Sequence, residues 1–217
     1  MNFHTLSRPT TVYLVRHGES QLNLEKRMSG QLDPALSPEG IRQSQVLADL
    51  LREARLTGIY SSSLRRTVET ACPTAEIHGL PIQARQALNE LHLGVLEGRY
   101  RDERDQEAMK LWEERKKDKR HYRVPGGESF VDLAERVTAA LKEILAAEEG
   151  GVVLIVGHRN TNRVLFGLLM QRPEKEWLDL DFRSRYLYEI TTGDQPQLTT
   201  IHLTGQQAGL RCEGLTV

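Results

Sequence analysis

Short, continuous apolar runs alternate with helical spacings of apolar residues along this chain. The runs at residues 12–15 and 152–156 predict buried strands, because a strand covered on both faces is apolar at every position. Apolar residues recur at three- and four-residue steps over residues 38–54 and 130–147, which predicts two helices that each bury one face. Further strands are predicted at residues 59–60, 186–192 and 199–203, and further helices after Leu64 and at residues 161–170.

The alternation of strands and helices predicts an α/β protein, specifically a three-layer α/β/α sandwich with helices on both faces of a mainly parallel sheet. A single catalytic domain over residues 1–217 is expected, since no repeat or Pro/Ser-rich linker divides the chain. Residues 99–124 are too charged for a core element and predict a surface helix or a lid inserted into that domain. The basic run from Arg115 to Arg123 indicates either a solvated face or a lid that attracts anionic substrates.

Composition narrows the possible partners and the compartment. The formal net charge of −1 argues against nucleic acid and anionic membrane as partners, because both require a concentrated excess of Lys and Arg. No apolar stretch approaches the roughly 20 residues of a membrane span, and the segment from Met1 to Thr5 lacks a signal pattern, so a cytoplasmic protein is expected. Cys72 and Cys212 have no metal-ligand spacing and are expected to be free thiols.

Two of the predicted strands end in a histidine, His17 and His158. Neighbouring parallel strands end at the same edge of a sheet, where ligands collect, so we expect these two imidazoles to lie together. Three further polar residues are expected at the same edge. Arg16 directly precedes His17, Arg66 lies at the start of the helix after Leu64, and Glu90 lies in a loop after a candidate strand. Guanidinium and imidazole donors suit a phosphoryl group, and a carboxyl group supplies a proton to a leaving oxygen. These side chains together predict a binding site for a phosphomonoester, and its reaction is expected to need no cofactor. No metal is expected either, because the sequence contains neither HExxH nor a cysteine knuckle.

Four ordered segments resemble the motifs of the histidine phosphatase superfamily, which includes phosphoglycerate mutases and broad-specificity phosphatases. They are LVRHGES at residues 14–20, SSSLRRTVETA at 61–71, LNELHLGVLEG at 88–98 and VGH at 156–158, with PGGES at 125–129 also similar. The resemblance implies that His17 is the nucleophile that becomes phosphorylated and that Glu90 is the proton donor. It further implies that the phosphate oxygens are bound by Arg16, Arg66, Asn23 and His158.

Other positions are candidates for substrate contact or depart from the family pattern. Gly30 and Gln31 lie in a loop that can touch substrate, although a glycine-containing turn explains them equally well. Ser63 stands where the family often has an aspartate, and Arg159 follows the second histidine where a small residue is usual. The Arg159 guanidinium either recognises a second acidic group on the substrate or points into solvent.

The resemblance implies an enzyme, a histidine acid phosphatase-type phosphoric monoester hydrolase that acts on a small anionic phosphate ester through a phosphohistidine intermediate. The alternative is a cofactor-dependent phosphoglycerate mutase, since Asn160 and Thr161 resemble the mutase version of the last motif. The short segment between Glu90 and Pro125 favours the phosphatase, because similar mutases carry longer insertions there. The expected partner is a small phosphorylated metabolite, and homodimers are common among similar proteins.

Overall fold

The computed structural model describes residues 8–215, so the expectation about Met1 to Thr5 lies outside the described residues. One mixed sheet has the strand order β3-β2-β4-β1-β5-β6-β7; the first four strands are parallel, and β5, β6 and β7 continue it antiparallel. The strands are β1 (Thr11–Arg16), β2 (Gly58–Ser62), β3 (Ile82–Arg85), β4 (Val152–Gly157), β5 (Tyr186–Thr191), β6 (Gln197–His202) and β7 (Arg211–Glu213).

Helices cover both faces of this sheet. They are α1 (Gln21–Leu24), α2 (Pro38–Leu51), α3 (Arg65–His78), α4 (Gln106–Lys117), α5 (Phe130–Ala147) and α6 (Arg159–Leu169), with 3₁₀ turns at Gln86–Leu88, Gly94–Leu96, Glu174–Asp179 and Gly205–Gln207. Residues of β1 alternate between the two faces of the sheet, and each face has its own hydrophobic core. Val12 and Leu14 pack with α5 and α6, whereas Val15 packs with α2 and α3. The predicted three-layer α/β/α architecture is confirmed.

Helix starts follow the local sequence closely. Ser129 caps α5 by accepting from the backbone N–H of Asp132, whose carboxylate accepts from the Ser129 backbone in return, so this helix begins where its capping box predicts. The last helix begins at Arg159, two residues before the predicted start, directly after His158. None of the helices within residues 8–215 has the length and apolar character that a bilayer span requires.

The charged segment 99–124 contains α4, and one residue of its basic run is buried. Arg115 is only 7% exposed, whereas the side chains of Lys116 and Lys117 are 49% and 70% exposed. The prediction of a solvated face is therefore wrong for Arg115. The physical reason is helical periodicity: Arg115 lies seven residues after Ala108, which is fully buried, and so shares its face.

Candidate active site

The register of two parallel strands brings the two predicted histidines together. Arg16 of β1 pairs with Gly157 of β4, so both strands end at one level. The backbone N–H of His17 donates to the Gly157 carbonyl at 3.0 Å, and the imidazole rings of His17 and His158 lie 5.1 Å apart between centroids. The carboxyl edge of the sheet therefore places both side chains in one buried site.

The ring of His17 is held with one nitrogen available for attack. Its Nδ1 lies 2.7 Å from the Gly18 carbonyl, which can only accept, so Nδ1 carries the proton and Nε2 keeps its lone pair. Burial, and then the charges of Arg66 and Arg16, hold the pKa of His17 well below its usual range. A side chain at Gly18 would come 2.7 Å from the Gly40 carbonyl, so this approach of α2 requires glycine.

His158 is fixed in the opposite tautomer. Its Nδ1 lies 3.2 Å from a guanidinium nitrogen of Arg66, which can only donate, so Nδ1 accepts and Nε2 carries the proton. That Nε2–H donates to the hydroxyl of Ser62 at 2.8 Å, and the same hydroxyl lies 2.7 Å from the Thr67 hydroxyl. Burial and the neighbouring positive charge of Arg66 also hold the pKa of His158 well below its usual range. Both rings are therefore neutral near pH 7, and the proton lies on Nδ1 in His17 and on Nε2 in His158.

Replacement of Ser62 by alanine tests this hydrogen bond. We expect Ser62→Ala to lower kcat about tenfold, the kinetic equivalent of one lost hydrogen bond of ~1.4 kcal/mol, because the His158 ring loses the partner that fixes its tautomer. Ser61→Ala is the matched control, since the Ser61 hydroxyl donates to the backbone carbonyl of Ser62 rather than contacting His158. Steady-state phosphate release measures both variants, and equal kcat values for the two would contradict the assigned role.

Two guanidinium groups, one fully buried and one partly buried, form the cationic part of the site. Arg66 is fully buried at the start of α3, donates to the carbonyls of Gly30 and Leu32 at 2.8 and 2.6 Å, and has a pKa that burial lowers to about 10. Arg16 donates to the Phe182 carbonyl at 3.4 Å, and burial lowers its pKa as well. The Nε atoms of both arginines are buried without a hydrogen-bond partner. Buried donors without a partner are costly, so an oxyanion between them would stabilise the site.

Smaller donors complete the wall beside these arginines. Asn23 lines the pocket with its Oδ1 accepting from the Ser20 backbone at 3.2 Å, while its Nδ2 has no partner within residues 8–215. The Ser29 hydroxyl lines the same pocket and is also buried without a partner. Gly30 belongs to the wall and holds Arg66 through its carbonyl. Gln31 does not line the pocket; its side-chain amide donates to the Glu90 carbonyl at 3.0 Å.

The carboxylate of Glu90 lines the same pocket. It accepts from the backbone N–H of Leu91 at 2.8 Å, and both of its oxygens accept from the backbone N–H of Asn160 at 3.2 Å, in the first turn of α6. The positive end of a helix favours a carboxylate at this place. Thr161 adds a hydrogen bond from its hydroxyl to the Asn89 carbonyl at 3.0 Å, so α6 positions the whole loop that carries Glu90.

Arg136 of α5 fixes the same loop from behind. Its guanidinium donates to the carbonyls of Ala87, Asn89 and Glu90 at 2.8, 2.8 and 3.1 Å, and it pairs with Glu128 at 2.5 Å. One arginine thereby donates to three backbone carbonyls that would otherwise have no hydrogen-bond donor in a partly buried loop.

These groups surround one cavity of about 510 Å³, a volume typical of sites for small molecules. Its wall includes Arg16, His17, Asn23, Arg66, Glu90 and Arg159, together with Lys26, Arg101 and Trp112. His158 lies behind this wall, in contact with Arg66 and Ser62. Within the described part of the chain, no group of three or more His, Cys, Asp or Glu residues is arranged to hold a metal ion.

The depressed pKa values of the two histidines make stability depend on pH. Between their folded pKa values and the ordinary value of 6.5, the unfolded chain binds more protons than the folded one, so acidification through this window favours unfolding. Each histidine contributes a slope of ~1.4 kcal/mol per pH unit below the ordinary pKa. We expect His17→Ala to reduce the loss of unfolding free energy between about pH 7.5 and 5.5, measured by urea denaturation.

An unchanged pH dependence in His17→Ala would show that the ring does not stay neutral in the folded state. The control for this measurement is His121→Ala, because that side chain is 66% exposed on the turn after α4. Its replacement keeps the buried pair of histidines, so the loss of unfolding free energy between about pH 7.5 and 5.5 should remain larger than in His17→Ala.

Sequence reasoning did not single out Ser62, Ser29 or Arg136 for the site. Ser62 is one of three consecutive serines, and only the extended backbone of β2 decides which hydroxyl meets His158. Arg136 lies between apolar positions of α5 and has the sequence context of a solvated helix residue. A usable signal for Arg136 was Glu128 in the PGGES segment, an acid placed one residue before the cap of that helix.

Residues 12–203 match the histidine phosphatase superfamily (branch 1), and the chain belongs to this family. A Gallus gallus 6-phosphofructo-2-kinase/fructose-2,6-bisphosphatase is 35% identical over 178 residues, which are 81% of this chain and 36% of that protein. This chain therefore spans about a third of the chicken relative's length. A Yersinia pestis protein named as a probable phosphoglycerate mutase is 34% identical over 189 residues, covering 87% of this chain and 88% of that protein.

Solved structures are similar over nearly the whole chain. A mycobacterial glucosyl-3-phosphoglycerate phosphatase superposes with a TM-score of 0.77 at 29% identity, covering 88% of this chain and 97% of that one. The chain is thus similar both to a protein named as a phosphatase and to one named as a probable mutase.

Proposed function

We propose that this protein is a phosphomonoesterase that hydrolyses a small anionic phosphate ester through a phosphohistidine on His17. The observation that carries the proposal is the hydrogen bond from Nδ1 of His17 to the Gly18 carbonyl at 2.7 Å, which leaves a neutral Nε2 lone pair in a buried cationic site. A neutral imidazole nitrogen is a competent nucleophile toward phosphorus, and covalent catalysis divides one difficult step into two.

In the first step, Nε2 of His17 attacks phosphorus in line while the bond to the ester oxygen breaks. Arg16, Arg66 and Asn23 bind the non-bridging oxygens, and His158 supports Arg66 from behind. Negative charge spreads over those oxygens in the transition state, so fixed guanidinium donors favour the transition state over the bound ester. Glu90 gives its proton to the departing alkoxide.

In the second step, water attacks the phosphohistidine and Glu90 takes a proton from that water. The backbone N–H groups of Leu91 and Asn160 bind the carboxylate that the first step leaves behind. The phosphate then leaves with its charge, and the His17 ring returns to the neutral state that burial and the two arginines favour.

A phosphoglycerate mutase is the second candidate, favoured by Asn160 and Thr161 and by the Yersinia pestis relative. Asn160 and Thr161 hold the Glu90 loop through a backbone N–H and a hydroxyl, a role that either reaction can use. The two reactions differ in the fate of the phosphoryl group, because a mutase must keep its phosphoenzyme away from water.

The experiment that separates these candidates follows phosphate released from a panel of phosphate esters, with and without a chelator. We expect inorganic phosphate as the main product and no loss of rate with chelator, since guanidinium groups supply the positive charge. Interconversion of 2- and 3-phosphoglycerate faster than release of phosphate from either would instead establish the mutase.

A further inference from the structure

The loop that carries His17 is held by α3 as well as by the sheet. The backbone N–H of Gly18, the next residue, donates to the hydroxyl of Thr70 at 3.0 Å. That hydroxyl donates in turn to the backbone carbonyl of Arg66 at 2.6 Å, one helical turn earlier. A hydroxyl offers one donor and two acceptor positions, so it can form both bonds at once. Thr70 therefore links the loop of the proposed nucleophile to the helix of a proposed phosphate donor.

The N–H that Thr70 receives belongs to the peptide between His17 and Gly18. The plane of this peptide determines the position of the Cα from which the imidazole extends. It also determines the position of the Cα next to the carbonyl that Nδ1 of His17 contacts at 2.7 Å. Gly18 and Thr70 are both buried, so this N–H has no access to water as an alternative acceptor. One hydroxyl thus controls the distance and direction between the ring and its acceptor.

A threonine inside a helix often donates to the carbonyl four residues earlier without any functional role. Thr74 shows that this alone does not explain the contacts of Thr70. It lies one turn further along the same buried stripe of α3, yet its hydroxyl has no hydrogen-bond partner in the described part of the chain. Thr70 differs from Thr74 because the loop after β1 reaches it.

We propose that Thr70 is a positioning residue for the nucleophile: its hydroxyl fixes the peptide between His17 and Gly18, and so keeps the His17 proton on Nδ1 and the lone pair on Nε2. The kinetic consequence rests on the proposed function, whereas the position of the proton does not. Without this hydroxyl the buried N–H lacks its acceptor, which is costly, so we expect the peptide to move. The second tautomer, whose Nε2 is protonated and cannot attack, then becomes populated.

Thr70→Val keeps the shape of the side chain and removes the hydroxyl. Its effect on the first step is measured as the burst of nitrophenolate from p-nitrophenyl phosphate, a leaving group that needs no proton from Glu90. We expect phosphorylation about tenfold slower than in the wild-type protein, the effect of one lost hydrogen bond. The affinity for inorganic phosphate should stay at the wild-type value, because the Arg66 guanidinium is still held by the carbonyls of Gly30 and Leu32.

Nitrogen NMR of protein with isotope-labelled histidine reads the tautomer directly. The ring nitrogen that carries the proton and the one that keeps the lone pair have distinct signals, and His17→Ala identifies which signals belong to His17. In the wild-type protein we expect the proton on Nδ1. In Thr70→Val we expect part of the population to carry it on Nε2, a change that a general loss of packing would not produce.

Two further variants serve as controls. Thr74→Val removes a buried hydroxyl from the same stripe of α3, but this hydroxyl has no partner within residues 8–215, so phosphorylation and tautomer should match the wild-type protein. Thr70→Ser keeps the hydroxyl and should restore most of the phosphorylation rate. Thermal unfolding checks that each variant folds. If Thr70→Val does not fold, Thr70→Ala and Thr74→Ala provide the same comparison.

Failure of the positioning role and failure of the proposed function give different results. The positioning role is wrong, and the phosphatase stands, if Thr70→Val keeps the proton on Nδ1, if it is phosphorylated as fast as Thr74→Val, or if Thr70→Ser is as slow as Thr70→Val. If the wild-type protein releases no nitrophenolate while Thr70→Val still shifts the proton to Nε2, the proposed function is wrong and the positioning of the ring by Thr70 stands.

Discussion

The variant His17→Ala is expected to lose at least about 10,000-fold in kcat for every phosphate ester, because it lacks the atom that accepts the phosphoryl group. Alanine also removes the donor to the Gly18 carbonyl, but the backbone hydrogen bond from residue 17 to Gly157 remains. The fold should therefore persist, and thermal unfolding checks that it does. Steady-state release of inorganic phosphate measures the loss.

A covalent intermediate gives an independent readout of the same residue. Wild-type protein quenched during turnover of a radiolabelled ester should carry label that is stable in base and labile in acid, as expected of a phosphorus–nitrogen bond. His17→Ala should carry none, and the control His121→Ala should label like the wild-type protein, since that ring lies on the exposed turn after α4. Label that survives in His17→Ala would place the nucleophile elsewhere.

Glu90→Gln is expected to lower kcat about 100- to 10,000-fold for esters of alcohols, the usual contribution of general acid–base catalysis. The loss should be far smaller for p-nitrophenyl phosphate in the phosphorylation step, because nitrophenolate leaves without a proton. Glutamine keeps the shape of the side chain and can still accept from the backbone N–H groups of Leu91 and Asn160, so the loop should stay in place.

Single-turnover measurements with the two kinds of leaving group separate proton donation from positioning. An equal loss for alkyl and nitrophenyl esters in the first step would mean that Glu90 acts by holding the loop rather than by donating a proton. Glu143→Gln serves as the control, since Glu143 lies on the exposed face of α5. Its kcat should remain at the wild-type value for both esters.

The layers of the fold could be predicted because their patterns are local. The run at β4 is apolar at every position, and α5 combines an apolar stripe with a capping box, so both elements lie where the sequence predicts them. α6 begins two residues before its predicted start, because the residues after His158 are polar and carry no apolar periodicity. Burial patterns predict elements well where a core determines them and poorly where a ligand site does.

The site was predictable from its motifs but not in its hydrogen-bond network. The ends of β1 and β4 indicated that His17 and His158 meet, since neighbouring parallel strands end at the same edge of a sheet. Which nitrogen of each ring carries a proton depends on Gly18 and Ser62, and such partners are set by distances of a few tenths of an ångström. The burial of Arg115 likewise depends on how α4 packs against the rest of the protein. The charge pattern of the sequence alone predicts that this side chain is solvated.

The parallel pairing of β1 and β4 also determines which part of the molecule unfolds locally least often. His17 and His158 follow β1 and β4, which lie next to each other in the middle of the sheet, whereas Arg101 and Trp112 lie on a charged surface segment with few buried neighbours. Hydrogen exchange in native proteins is slowest in such central strands and fastest in peripheral segments. Fluctuations that admit or release a ligand can therefore run through the periphery while the reacting ring stays in register.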